Sequence, residues 1–343
     1  MFFTSDNASG AAPEIMDAIA QANDGFAPSY GADDLMTLVQ SQIRQIFQAP
    51  EAAVYLVATG TAANALALSL YCPPWTSVFA HKHAHIALDE CGAPEFYSGG
   101  AKLIGVMGAH GKMTAETLSQ AIGQIGQSGV HGVQRGMVSI TNVTEAGTVY
   151  TPAEVAALTA VAKSHGLPSH MDGARFTNAL VATNASAADM TWAAGIDILS
   201  FGGTKNGCLG VEAVVIFDPA KAWEFELRRK RGGHLFSKHR FLSAQMLAYL
   251  TDDLWLRLAR HANAMGARLA SGLSAMPRVQ MIHPVGANML FAEWQIGTHA
   301  VLQSKGAAYY PLSLSQSQES ARLVTSWSTK PDDVDAFLSA IPA

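Results

Sequence analysis

The sequence predicts an α/β fold: a large domain with a mainly parallel sheet between helices, followed by a small C-terminal α+β domain. Three observations carry this. Short apolar runs alternate with helical patterns from about residue 35 to Phe217, and strands separated by helices pair in parallel. After Phe217 the texture changes to one long helical region, about Lys238 to Leu273, and then to short strand candidates. The length of 343 residues exceeds one small core and falls short of three ordinary domains. The expected division is 1–240 for the large domain, with an extended N-terminal segment, and 241–343 for the small one.

The elements follow in order. Residues 1 to about 35 read as extended and turn-rich, apart from an amphipathic stretch at Pro13 to Ala22. Val54 to Ala58 reads as a strand, followed by Thr59-Gly60-Thr61 and a helix from Ala62. Val78 to Ala80, Leu103 to Met107 and Met137 to Val143 are further strands, and Thr114 to Ile125 is a helix. Ala153 to Ser164 is a helix with Thr151 as cap and Pro152 at its first position. Leu167 to Met171, Ile198 to Phe201 and Val211 to Phe217 continue the strands. In the small domain, Val279 to His283, Asn288 to Glu293 and Ala321 to Ser326 are strands. Gly297 to Lys305 and the stretch after Pro331 are helices.

Composition excludes several roles. A net charge of −5 argues against a nucleic-acid partner, and no apolar run is long enough for a membrane span. Hydrophobic residues at 49% against 14% charged predict much surface buried between subunits. Cys72, Cys91 and Cys208 are odd in number and lack metal spacing, which predicts reduced thiols in a cytoplasmic protein. The opening M-F-F-T-S-D-N is not a secretory signal.

Two segments carry the chemistry. H-M-D-G-A-R-F, His170 to Phe176, places Asp172 at the end of an apolar run, where parallel sheets bind ligands. S-F-G-G-T-K-N-G, Ser200 to Gly207, sets Lys205 among small and hydroxyl residues. The pair suits pyridoxal 5'-phosphate (PLP): lysine forms an imine with its aldehyde, and a carboxylate keeps the pyridine nitrogen protonated. The alternatives are a helix-capping Asp172 and a solvated surface Lys205. Gly60 and Thr61 open a helix whose N-terminus suits the cofactor phosphate; the alternative is an ordinary strand-to-helix turn capped by Thr61. Thr204 is a phosphate donor or a turn cap.

Arg175 suits a bidentate grip on a substrate carboxylate, against the alternative of a structural ion pair. Arg322, in A-R-L-V-T-S-W, would grip the same group from the small domain, unless it faces solvent on a strand. In H-K-H-A-H, His81 to His85, no further ligand set completes a metal site. His85 instead suits stacking on the pyridine ring and proton transfer. His131, in G-V-H-G, is a second candidate for activating water or the substrate hydroxyl, or a plain loop histidine. In the basic run Arg228 to Arg240, Arg231 and Lys238 are candidates for phosphate contact across a dimer interface; a solvated helix end is the alternative.

Taken together, these segments resemble the low-specificity L-threonine aldolases, PLP-dependent enzymes of the aspartate-aminotransferase-like fold (fold type I). The resemblance runs from S-D-N at Ser5 to Asn7 and S-Y-G-A-D-D at Ser29 to Asp34 through T-G-T-A-A-N, A-H-I-A-L-D-E-C-G-A-P, H-M-D-G-A-R-F and the lysine loop to N-M-L-F and A-R-L-V-T. It implies retro-aldol cleavage of L-threonine, L-allo-threonine and related β-hydroxy-α-amino acids to glycine and an aldehyde, in a homotetramer built from dimers with shared sites. By the same resemblance Ser5 and Tyr30 line the substrate end, Gly60 and Thr61 the phosphate loop, and His85 and His131 are the active-site histidines. Asp172 then partners the pyridinium, Lys205 is the Schiff-base lysine, and Arg175 and Arg322 bind carboxylate. The chain departs from the common pattern at T-N-V-T-E-A-G, Thr141 to Gly147, at T-K-N-G and in R-K-R-G-G-H-L-F-S-K. Those departures point to a branch preferring bulky substrates such as phenylserine. The rival chemistry is a PLP-dependent β-eliminating lyase. A non-catalytic binding protein has no need of the lysine, and T-G-T lacks the fuller glycine fingerprint of a dinucleotide site.

Overall fold

The computed structural model describes residues 1–312 and 316–342. Seven strands form the large sheet: β1 (Ala53–Val57), β2 (Thr76–His81), β3 (Lys102–Val106), β4 (Gln134–Thr141), β5 (Ser169–Gly173), β6 (Ile198–Gly202) and β7 (Glu212–Ile216), in the order β1-β7-β6-β5-β4-β2-β3. Strands β2 to β6 pair in parallel. β7 is antiparallel to both β6 and β1, because the loop from Gly203 to Val211 is too short for a crossover. β1, β5, β6 and β7 are buried along their whole length, as a sheet covered on both faces requires, whereas edge strand β3 is partly exposed.

Local rules explain most helix ends. Pro13–Ala22 starts on its proline, and Pro152–Ser164 opens on the reciprocal Thr151–Glu154 capping box. Helix Gly60–Tyr71 begins two residues earlier than expected, because its cap is Thr59 rather than Thr61: the Thr59 hydroxyl accepts the Ala62 N–H. Asp34–Ile46, capped by Asp33, is a helix that the sequence pattern did not single out. The long helical region is two helices, Arg240–Leu250 and Leu254–Ser274. They are separated where Asp252 and Asp253 take left-handed backbone angles, a conformation Asp tolerates better than most residues.

The small sheet contains β8 (Gln280–Met281), β9 (Met289–Trp294), β10 (Tyr310–Leu312) and β11 (Glu319–Val324), all antiparallel in the order β10-β11-β9-β8. β10, with two exposed residues of three, was not legible as an apolar run. The expected boundary at 240/241 shifts in two ways. Leu242, Met246, Tyr249 and Trp255 are buried in the large-domain core, whereas Leu269 and Leu273 belong to the small-domain core, so the crossing lies within helix Leu254–Ser274. The extreme N-terminus belongs to the small domain: Phe3 is fully buried there, donates its N–H to Ala308, and accepts from Val324. Beneath β6, Phe47, Phe176, Phe201 and Trp255 pack ring against ring and give the lysine loop a rigid base.

Candidate active site

The carboxyl ends of β4, β5 and β6 meet in register, Thr141 beside Asp172 and Asp172 beside Ser200. Asp172 is buried; one oxygen accepts the Ala174 N–H at 3.1 Å and the other accepts no hydrogen bond among the described residues. It therefore closes a turn and does not cap the following helix, which starts at Phe176. Below it, buried His170 bridges Ser139 on β4 at 2.9 Å and Ser200 on β6 at 3.0 Å. Burial pushes that imidazole down to about 4 and keeps it neutral. Gly173 is required here, since a Cβ would stand 2.7 Å from the Ser200 carbonyl.

Lys205 projects from a short 3-10 turn, Thr204–Asn206, after β6. The turn is held from below: Asn206 donates to the Tyr249 hydroxyl at 2.7 Å and the Trp255 carbonyl at 2.9 Å, and Gly207 ends it at φ 101°. Thr204 exchanges hydrogen bonds with the Val211 backbone, so its hydroxyl is committed to the loop. Among the described residues, no hydrogen bond or ion pair engages the Lys205 amine. After β1, Gly60 and Thr61 form the first turn of their helix, and a Cβ added at Gly60 would meet nothing within 4 Å. An unengaged lysine, a buried carboxylate with a spare oxygen and an open helix N-terminus are what PLP requires of its site, so the residues fit that cofactor.

His85 begins the short helix His85–Leu88 after β2. Its Nδ1 lies 2.9 Å from Glu90 Oε1, which also accepts from Asn64 Nδ2 at 2.8 Å. Burial pushes the Glu90 carboxyl up against the pull of His85 and Asn64, and the hydrogen bond to Glu90 holds His85 above its ordinary 6.5. Nδ1 is thereby occupied, and Nε2 is the ring nitrogen without a hydrogen bond among the described residues. Asn64 and Glu90 lie inside quoted segments, T-G-T-A-A-N and L-D-E-C-G, but only folding brings them together.

The arginines sit at the junction of the two domains. Arg175 donates Nε to Asp6 Oδ2 at 2.7 Å and Nη2 to Oδ1 at 2.9 Å, and both side chains are buried. Burial opposes the Asp6 charge, yet Arg175 and then Lys205 hold its carboxyl below the usual 3.8. Asn288 of the small domain adds a third donor at 3.1 Å. Arg175 is thus held as an ion pair through Nε and one Nη2 proton, and among the described residues its Nη1 protons and second Nη2 proton have no partner. Ser5 precedes this hub and caps the turn at Asp6–Ala8. Arg322, on β11, lies over the Tyr310 ring at 4.6 Å and donates to the Thr4 carbonyl at 3.3 Å; its Nε is buried without a partner among the described residues. Burial and then the Arg175 charge lower its pKa, as expected of two like charges facing a site that awaits an anion. Glu145 interacts electrostatically with His85, Arg175 and Arg322, although the sequence pattern marked its segment only as a departure.

Other candidates lie elsewhere. His131 is exposed in the loop before β4, and that strand alone spans roughly 23 Å at about 3.3 Å per residue. His131 therefore lies at the opposite end of the strands from Lys205 of the same chain. Tyr30 stacks against Lys230 at 4.7 Å and donates its N–H to Ser237. Arg231 and Lys238 are exposed on the same side as Tyr30, with no partner among the described residues. In H-K-H-A-H the first and last of the three histidines diverge, His81 toward the Gly108 carbonyl at 3.1 Å and His85 toward Glu90.

Residues 3–295 match the family model of the beta-eliminating lyases. Low specificity L-threonine aldolase from a Pseudomonas species is 40% identical over 96% of this chain and 93% of its own length; that of Pseudomonas aeruginosa is 39% identical over 95% and 93%. The chain belongs to the low-specificity L-threonine aldolase family. This aldolase-family chain also superimposes on Leishmania major threonine aldolase with a TM-score of 0.93 at 30% identity, covering 98% of this chain and 97% of that one. Sphingomonas wittichii serine palmitoyltransferase, at 14% identity, matches with a TM-score of 0.72 over 100% of this chain and 88% of that one, which is a likeness of fold alone. The large domain of the aldolase-family chain is accordingly the PLP-enzyme fold type I, and the chain is a lyase.

Proposed function

We propose that this enzyme binds PLP at Lys205 and cleaves L-threonine, L-allo-threonine and related β-hydroxy-α-amino acids to glycine and an aldehyde. The observation that carries the reading is the convergence of Lys205, Asp172, His85 and two arginines from different domains at one end of the sheet. Bound PLP supplies an aldehyde for the lysine and a ring that takes up the electron pair released at Cα. Gly60 and Thr61 would hold its phosphate at the helix N-terminus, with Thr204 ordering the adjacent loop, and Asp172 its ring nitrogen. Arg322 and the free Nη1 of Arg175 bind the substrate carboxylate, with Ser5 beside them. His85, its Nδ1 fixed by Glu90, takes the β-hydroxyl proton at Nε2, and the Cα–Cβ bond breaks as that proton leaves.

The finer parts of the reading are these. Tyr30, Arg231 and Lys238 face outward and serve a neighbouring subunit's site within a homotetramer, and exposed Phe26, Phe96 and Trp223 support such an assembly. Location in the cytoplasm agrees with three free thiols. Among the described residues, no helix is long and apolar enough to cross a membrane. The beta-eliminating family model favours one alternative, expulsion of a β-substituent.

A single assay separates the two. Purified protein is supplied with PLP and offered threonine, allo-threonine and phenylserine, and the products are analysed. Glycine with an aldehyde is expected; a keto acid with ammonia would transfer the enzyme to the eliminating reaction.

A further inference from the structure

Glu212 is an acidic residue at the start of an otherwise apolar strand, E-A-V-V-I, and it is buried. Such a group requires partners. Its Oε2 accepts the Gly203 N–H at 2.9 Å, and the Thr204 hydroxyl also acts on it. Its place in the sheet is unusual. Glu212 is the register partner of both Val57 on β1, two residues before Thr59, and Gly202 on β6, three before Lys205. One buried carboxyl therefore stands between the turn that opens the Gly60 helix and the turn that carries the lysine.

The titratable groups that face it are Lys205, Asp172 from β5, Cys208 from the same loop and Tyr249 from helix Arg240–Leu250. Burial pushes the Glu212 carboxyl up to about 7, against the pull of Thr204, Gly203 and Lys205. Burial pushes Cys208 and Tyr249 up as well, so they stay neutral. Asp172 acts in the same direction as burial, and Lys205 is the one cation among these groups.

We infer that Glu212 is the positioning residue for Lys205: its carboxyl fixes the start of the lysine turn through the Gly203 N–H and ties it to the strand end that leads to Thr59. The inference rests on the reading of Lys205 as the cofactor lysine. An amide at this position keeps the acceptor for Gly203; alanine removes it.

The test is the rate of borohydride-trapped PLP capture on Lys205 in the full-length protein, cleared of bound carbonyl compounds with hydroxylamine and read by mass spectrometry. Glu212→Ala should lower that rate on the order of tenfold, the scale of a misdirected reactive group, and Glu212→Gln should restore it to near the wild-type rate; melting temperatures establish that both variants fold. A wild-type rate in folded Glu212→Ala, or an equal loss in Glu212→Gln, would overturn the inference. If wild type captures no PLP, the aldolase reading fails, and the rate of Lys205 acetylation, altered in Glu212→Ala and restored in Glu212→Gln, decides the positioning by itself.

Discussion

The floor of the site and the seam between its domains are built in different ways. On the floor, Asp172, His170, Ser200 and the lysine turn are carried on adjacent strands, and backbone register sets their spacing. In the seam, Asp6, Arg175, Asn288 and Arg322 come from the N-terminal arm, the large domain and two strand regions of the small domain. The floor is set by strand pairing within one domain. The seam exists only when the two domains are in contact, so its stability and its ligand binding are one problem. A reactive centre belongs on the first kind of frame and a substrate carboxylate clamp on the second.

The sharpest test on the floor is Lys205→Ala. Turnover and borohydride-trapped PLP should both vanish, while the melting temperature of the unliganded protein stays near wild type, since nothing in the fold depends on that amine. Normal turnover would remove the lysine from the chemistry. On the seam the order reverses. Asp6→Ala leaves the buried Arg175 charge without its partner and should cost about 3–5 kcal/mol in chemical denaturation. Because the Asp6 pKa is depressed on folding, this stabilisation is complete above its ordinary 3.8 and is lost as pH falls through the lower folded value. A loss under about 1 kcal/mol would mean that the seam opens easily.

Arg322→Ala should raise KM for a β-hydroxy amino acid about 10- to 100-fold, the range for losing a charged hydrogen bond, and change kcat less. Equal losses in kcat and kcat/KM would move Arg322 from binding to transition-state stabilisation. The smallest change expected is in pH dependence. Glu90→Gln removes the group that holds His85 above 6.5, so the rising limb of the rate profile should shift to lower pH. The stabilisation from the raised His85 pKa is complete below 6.5 and is lost as pH climbs through the folded value, so the variant should lose stability on the acid side only. An unmoved limb would show that His85 is not the titrating base.

Reading the chain as sequence succeeds where a rule is local. Asp172 and Lys205 are visible because each follows an apolar strand and is flanked by small residues. The Thr151 cap and the helix starts at Pro13, Pro152 and Pro331 are visible because a cap involves neighbours in sequence. The position of His131 is illegible for the opposite reason: it lies near a strand whose other end is at the site, and sequence distance does not tell one end of β4 from the other. Asp6 was passed over beside Ser5, since its partner is 169 positions away.

The sequence alone determined the α/β class, the strand succession, the lysine and aspartate pair and the arginines, because apolar periodicity and residue chemistry are properties of short segments. Tertiary structure alone decided that Arg175 is half committed to Asp6, that His85 has one ring nitrogen fixed by Glu90, and that Glu212 is buried between two turns. Those outcomes depend on which distant groups burial brings together and on what a charge meets once water has been removed. No window of sequence contains that information.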